Sequence, residues 1–432
     1  MGTKTYNPII IINDRELRFI SLCLLFSTFN DWLRIPSTPI SLYRLLFPIA
    51  LFLCLQQLSK RKNYILCFVL FSIINLIQNY IFFNISGIST DSRLTFKYFL
   101  LYLSIFSIFL MVKFIRTKSI PAFKQLIFSF LPAIGLINLA FYWLCETPAK
   151  AMLNLANRNN YAVSLAAIFP YFFLKGFENK KKYFIPCFAI LFSLYIVGSK
   201  AALFGIGLEV ALILAMKVMQ KMRYANSAGI LFLVSAYLVM VMIVQSPITI
   251  NGHPINRYFS ELTSRVISGE LYPDCRESVR WRTNAIIYML SLTRETNGMG
   301  IGIGNTGVYL AAFMPEVDRY LQNQPDEIGR KVLSPHFALL EFISDCGLWA
   351  IVLLLIILKS ALEKFMNAKN NDFMDFYFTS FTLSFPIWCM SASGVYTIYY
   401  LFIVMACLYE WYQIPAERKD SIDENHDFCD RA

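Results

Sequence analysis

The feature that most constrains this chain is a succession of apolar runs, each long enough to cross about 30 Å of hydrocarbon at 1.5 Å per helical residue. They fall at 16–33, 40–57, 63–84, 96–115, 123–145, 161–176, 183–198, 201–219, 228–247, 337–358, 374–392 and 396–412. A bilayer core leaves backbone polar groups no water, so runs of this kind fold as helices. Composition agrees: 57% of residues are apolar and 16% aromatic, beyond the range of a soluble domain. The expected fold is an all-α polytopic membrane protein of about twelve transmembrane helices, residues 1–432 forming a single membrane domain.

Charge between the runs sets an orientation, because Lys and Arg accumulate on cytoplasmic loops. With the N-terminus cytoplasmic, the inner loops carry Lys60, Arg61 and Lys62, then Arg116 and Lys118, Lys175 with Lys180 to Lys182, Lys217, Lys221 and Arg223, then Lys359, Lys364 and Lys369. An even count returns the C-terminal tail, 413–432, to the cytoplasm. The net charge of +11 is thus a topology signal and does not point to nucleic acid. No cleavable leader is expected, since the first apolar run follows Asn13, Asp14 and Glu16 and ends in no small-residue cleavage pattern. Most of the ten cysteines lie in apolar runs, with Cys145 and Cys275 the one pair on the outer side. Three histidines and no Cys-x-x-Cys leave no metal-ligand spacing.

One segment breaks the pattern. Between the ninth and tenth runs, 248–336 is a polar stretch of about ninety residues on the outer side, far longer than a connecting loop needs. Gly252 and Pro254 mark a turn within it, and Asn284–Leu292 carries apolar residues at helical spacing. Just before that helix stand Arg276, Arg280 and Arg282, whose planar guanidinium forks match phosphate oxygens. Next come Gly298, Gly300, Gly302 and Gly304, which let backbone approach backbone or a ligand closely. The stretch closes on Ser334-Pro335-His336 at the edge of the next run, where an imidazole can exchange a proton with a sugar hydroxyl. Two further outer turns are basic, one at Arg158 within Asn157–Asn160 and one at Lys200 within Gly198–Ala202. Each alone reads as interfacial or snorkelling charge. Taken on one face, they suit a diphosphate on a lipid carrier.

Over roughly Asn154 to Ala350, this order of motifs resembles the bacterial O-antigen ligase and O-antigen polymerase superfamily. The resemblance implies a lipid-dependent glycosyltransferase-like bundle, multi-pass in the bacterial inner membrane, whose long periplasmic loop caps the outer face. It implies a donor that is an undecaprenyl-diphosphate-linked glycan, with no cofactor, and as partners membrane lipids and a chain-length regulator protein. By the same resemblance Arg280 and His336 are catalytic, and Lys200, Arg280, Arg282 and Arg158 hold the diphosphate beside the turn at Gly300, Gly302 and Gly304. Lys200 and Phe337 stand where the family commonly has arginine and asparagine, which favours polymerase over ligase. A flippase for the same glycan is the rival reading. It predicts internal repeats, of which none is seen, and charge deep in the spans, whereas most charge here stands at helix ends, Glu209 being an exception. A scaffold gives no reason for the long outer loop.

Overall fold

The computed structural model describes residues 14–28, 41–58, 61–88, 92–144, 158–178, 181–222, parts of 229–245, 249–250, 253–273, 278–314, 337–389 and 399–414. They are mostly helical, joined by short turns, with one two-residue antiparallel ladder, Thr249 opposite Pro254 and Ile250 opposite His253. In chain order the helices are α1 (Arg15–Thr28), α2 (Leu42–Gln57), α3 (Arg61–Ser86), α4 (Ser92–Lys118), α5 (Ile120–Gln125), α6 (Leu131–Leu144), α7 (Arg158–Phe177), α8 (Phe184–Val197) and α9 (Lys200–Lys221). After the ladder come α10 (Ile255–Ser268), α11 (Ser278–Glu295), α12 (Asn305–Phe313), α13 (Ala338–Cys346), α14 (Leu348–Met366), α15 (Phe373–Cys389) and α16 (Tyr399–Tyr412).

Four described helical stretches are long and apolar enough to cross a bilayer: Lys62–Ser86, Phe99–Lys118, Ile120–Ala140 and Ala201–Lys221. Their outward faces are apolar, as lipid contact requires. On α3, Leu66, Leu76 and Tyr80 are all exposed. Such surfaces support membrane association, because water would penalise each. Only part of the 228–247 run falls among the described residues, and those positions are helical.

The chain packs as two compact units. The first comprises 1–64, 102–196 and 396–432. In it the buried Tyr43 hydroxyl donates to the Ser104 carbonyl at 3.0 Å and meets Ser107 Oγ at 2.8 Å. Between α5 and α6 a π-turn, Leu126–Phe130, disturbs the carbonyl ladder, and the Tyr171 hydroxyl of α7 donates to the Phe128 carbonyl at 3.0 Å. Arg116 and the buried Glu410 pair at 2.6 Å, which accounts for an acidic residue inside the apolar α16.

The second unit comprises 65–101 and 197–395. Its largest helix contact joins α9 to α15. At Gly205 a Cβ would stand 2.0 Å from the Trp388 ring, so the absence of a side chain there lets the indole lie on the helix. The small-residue start of α9 is therefore a packing notch. The run at 337–358, read from sequence as one span, is instead two helices broken at Gly347, where φ is +81° and ψ −166°. Only glycine adopts that backbone without strain. The break serves the turn that Gly298 begins.

Candidate functional site

The glycine turn of 298–304 lies directly on the Ser344–Leu348 corner. Ile301 N–H donates to the Ser344 carbonyl and Gly302 N–H to that of Asp345, both at 3.0 Å, while Leu348 N–H donates to Gly298 at 2.8 Å. Gly300, at φ +79°, has its Cβ position 2.5 Å from the Gly347 nitrogen. Backbone meets backbone here with no room for a methyl group, so the alternating glycines serve close packing.

Two sets of buried polar groups lock the turn. Asp345 is fully buried, and its carboxylate accepts from Gly304 N–H at 2.7 Å, from Thr306 N–H at 3.1 Å and from the Thr306 hydroxyl at 2.6 Å. It thereby caps the N-terminus of α12, whose first N–H groups have no intrahelical acceptor. The second set comes from α3, where Asn75, Gln78 and Asn79 share one face at i, i+3 and i+4. Gln78 Nε2 donates to the Met299 and Cys346 carbonyls at 2.6 and 3.0 Å, bridging both sides of the corner. Asn75 Oδ1 accepts from Ile303 N–H at 3.1 Å, and Asn79 Oδ1 accepts from Asn305 Nδ2 at 2.7 Å. Within an apolar run, three amides at that spacing are the signal that could have singled this stripe out.

Arg280 lies in the first turn of α11, half-buried, with its guanidinium carbon 5.7 Å from the Tyr272 ring centroid. Arg265 of α10 stacks on the same ring at 3.9 Å. Two cations thus share one aromatic ring, a cation–π arrangement that keeps both near it. Tyr272 itself is clasped by the buried Asn284: its N–H donates to Asn284 Oδ1 at 2.8 Å, and its carbonyl accepts from Nδ2 at 2.9 Å. Its hydroxyl donates to Glu261 at 2.7 Å. Burial, then Glu261, pushes the phenol up to about 12, so it stays a donor throughout the physiological range. Arg265, Tyr272 and Asn284 were absent from the residues expected to matter; nothing in the local sequence marks them.

Between the two arginines Trp281 turns inward, only 4% exposed, and heads a cluster with Ala285, Met289, Leu310 and Met314. Phe337 and Leu340 pack against that cluster. Further along α11, Leu292 joins Phe82, Ile301, Val308 and Tyr309 in a second cluster, so α11 and α12 close over the glycine turn. Burial, with Glu295 and Tyr288 nearby, raises the Tyr309 phenol.

The expected residues divide accordingly. Arg280 and Arg282 stand at the start of α11, Arg282 half-buried beside Trp281, whereas Gly300, Gly302 and Gly304 follow the far end of that helix, so the structure does not bring the arginines to the glycine turn. Lys200 is the first residue of α9 and Arg158 the first of α7, in the other unit; the side chains of both lie outside the described residues. Arg276, Cys145, Cys275 and His336 also lie outside the described residues. Among the described residues no group of three or more His, Cys, Asp or Glu stands together as a metal site. No protein-family model matches the chain. No curated protein matches it either.

Proposed function

We propose that this protein transfers a glycosyl group from an undecaprenyl-diphosphate-linked oligosaccharide at the periplasmic face of the bacterial inner membrane, as a surface-polysaccharide polymerase. One observation carries the reading. Phe337, the neighbour of His336, packs on the apolar cluster headed by Trp281, and Trp281 is flanked by Arg280 and Arg282. Motifs more than fifty positions apart in the chain thereby share one hydrophobic anchor.

In this reading the acceptor hydroxyl attacks the anomeric carbon of the donor. The bond from that carbon to the diphosphate oxygen breaks, and the diphosphate departs with the bonding pair. His336 takes the hydroxyl proton. Arg280, with Arg282 and Lys200 as further cations, neutralises the charge that grows on the leaving diphosphate. The clasp of Asn284 on Tyr272 supports this, because it fixes the ring over which Arg280 lies.

The lipopolysaccharide ladder of a deletion strain tests the assignment and separates its alternatives. A single repeat unit on core supports the polymerase. Bare core with lipid-linked polymer accumulating would make the protein a ligase, and bare core with unpolymerised units held on the inner leaflet would make it a flippase. An unchanged ladder contradicts all three.

A further inference from the structure

Glu209 lies on the face of α9 that is buried, and it is wholly inaccessible. Neither carboxyl oxygen has a hydrogen-bond partner. One turn earlier on the same face, Gly205 receives the Trp388 indole, whose Nε1 is 2.2 Å from the glycine's Cβ position. That indole N–H is also buried and without a partner. Helical side chains lean toward the helix N-terminus, which carries the Glu209 carboxyl toward Gly205 and the indole.

The rest of the pair does not serve these groups. Lys217 lies over the Phe376 ring at 4.6 Å, and Gln220 Nε2 donates to the Asn371 carbonyl at 3.0 Å, which sets α9 antiparallel to α15. By that register Ser384 stands level with Glu209, with Ser380 a turn away. Both hydroxyls are turned back onto their own helix, Ser384 onto the Ser380 carbonyl and Ser380 onto that of Phe376. The charged groups of α9, α15 and the Ala368–Asn370 turn gather at the other end of α9, Lys217, Lys221, Lys369, and Asp375 paired with Lys364 at 3.0 Å, while α13, which also packs on α15, carries the buried Glu341 and Asp345, the latter taken up by Gly304 and Thr306. Lys200 opens α9, more than two turns before Glu209. A buried carboxyl and a buried indole N–H, one helical turn apart along α9 and both unanswered, are what one small hydroxylic molecule would satisfy.

We propose that Glu209 is a proton-binding site inside the α9–α15 pair, its carboxyl held as the acid and sharing one water with the Trp388 N–H. The water accepts from the indole and exchanges hydrogen bonds with the acid. Loss of the proton would leave an unpaired charge in a dry seam, so proton occupancy is linked to the closure of α9 on α15. This site is independent of the glycosyl-transfer reading.

Infrared spectra of the full-length protein in lipid nanodiscs test it at pH 7, as the difference between wild type and Glu209→Gln. The expected result is one carboxylic-acid carbonyl band, shifted in heavy water and lost completely in the variant. Trp388→Phe should displace that band, and an unmoved band would remove the shared water. A difference spectrum showing carboxylate bands in place of the acid band overturns the proposal. Should Glu209→Gln fail to accumulate, the wild-type band is assigned with dicyclohexylcarbodiimide. The acid oxygen bonds the central carbon of that reagent, the acid proton passes to one nitrogen, and the acyl group then shifts to nitrogen. The band should disappear in step with label mapped to Glu209; a band that persists in fully labelled protein contradicts the assignment.

Discussion

Asp345 shows how much of this molecule turns on single buried groups. Asp345→Ala would leave the Gly304 and Thr306 N–H groups and the Thr306 hydroxyl without their acceptor. At roughly 1 kcal/mol or more for each stranded donor, the variant should lose about 3 kcal/mol, read as a lowered midpoint of thermal unfolding in detergent. Arg280 tests chemistry instead. Arg280→Ala should abolish glycan transfer at normal membrane levels, and Arg280→Lys should restore little because a bidentate fork becomes a point charge. Full activity of the lysine variant would reduce the site to a general basic patch. His336→Gln should lower turnover by about a hundredfold or more with donor binding nearly unchanged. The close approach of backbone at the glycines was legible because a glycine's freedom from a side chain is distinctive at any position. Asp345 was not, and Asn75, Gln78 and Asn79 were marked only by their spacing, since a polar residue in an apolar run says that a partner exists without saying where.

At the scale of elements, hydrophobic periodicity placed most helices within a few residues, from α2 to α16, and it anticipated α11 inside the outer stretch. It failed at 337–358, where an apolar run continues through a break. Gly347 is the cause, and a single glycine within a hydrophobic run carries no sign of its backbone angle. Its Cβ position is 2.4 Å from the Gly298 carbonyl oxygen, a backbone atom that cannot swing away. Gly347→Ala should therefore cost at least about 2 kcal/mol, from strain and clash together. Gly269→Ala, also at positive φ but with open space around it, should cost only about 1 kcal/mol. Equal shifts in unfolding midpoint for the two would show that the glycine turn does not grip the corner as described.

For the whole molecule, composition pointed to the all-helical class and to membrane association, and the described helices with their exposed apolar faces agree. What sequence did not convey was the division into two packed units, since the segments of each are interleaved along the chain. Orientation rests on the basic loops. Reporters fused after Lys182 or Lys221 should read cytoplasmic, and one within 305–326 periplasmic; the reverse at any of them would remove the basis for grouping Arg158 and Lys200 with the long loop. Transfer itself is measured most directly with the purified chain in proteoliposomes, given only undecaprenyl-diphosphate-linked oligosaccharide and no nucleotide sugar. The expected result is a ladder of longer lipid-linked chains, with one undecaprenyl diphosphate released for each bond formed and no ladder from Arg280→Ala. Donor recovered unextended, from wild-type protein shown to be folded, would contradict the assignment.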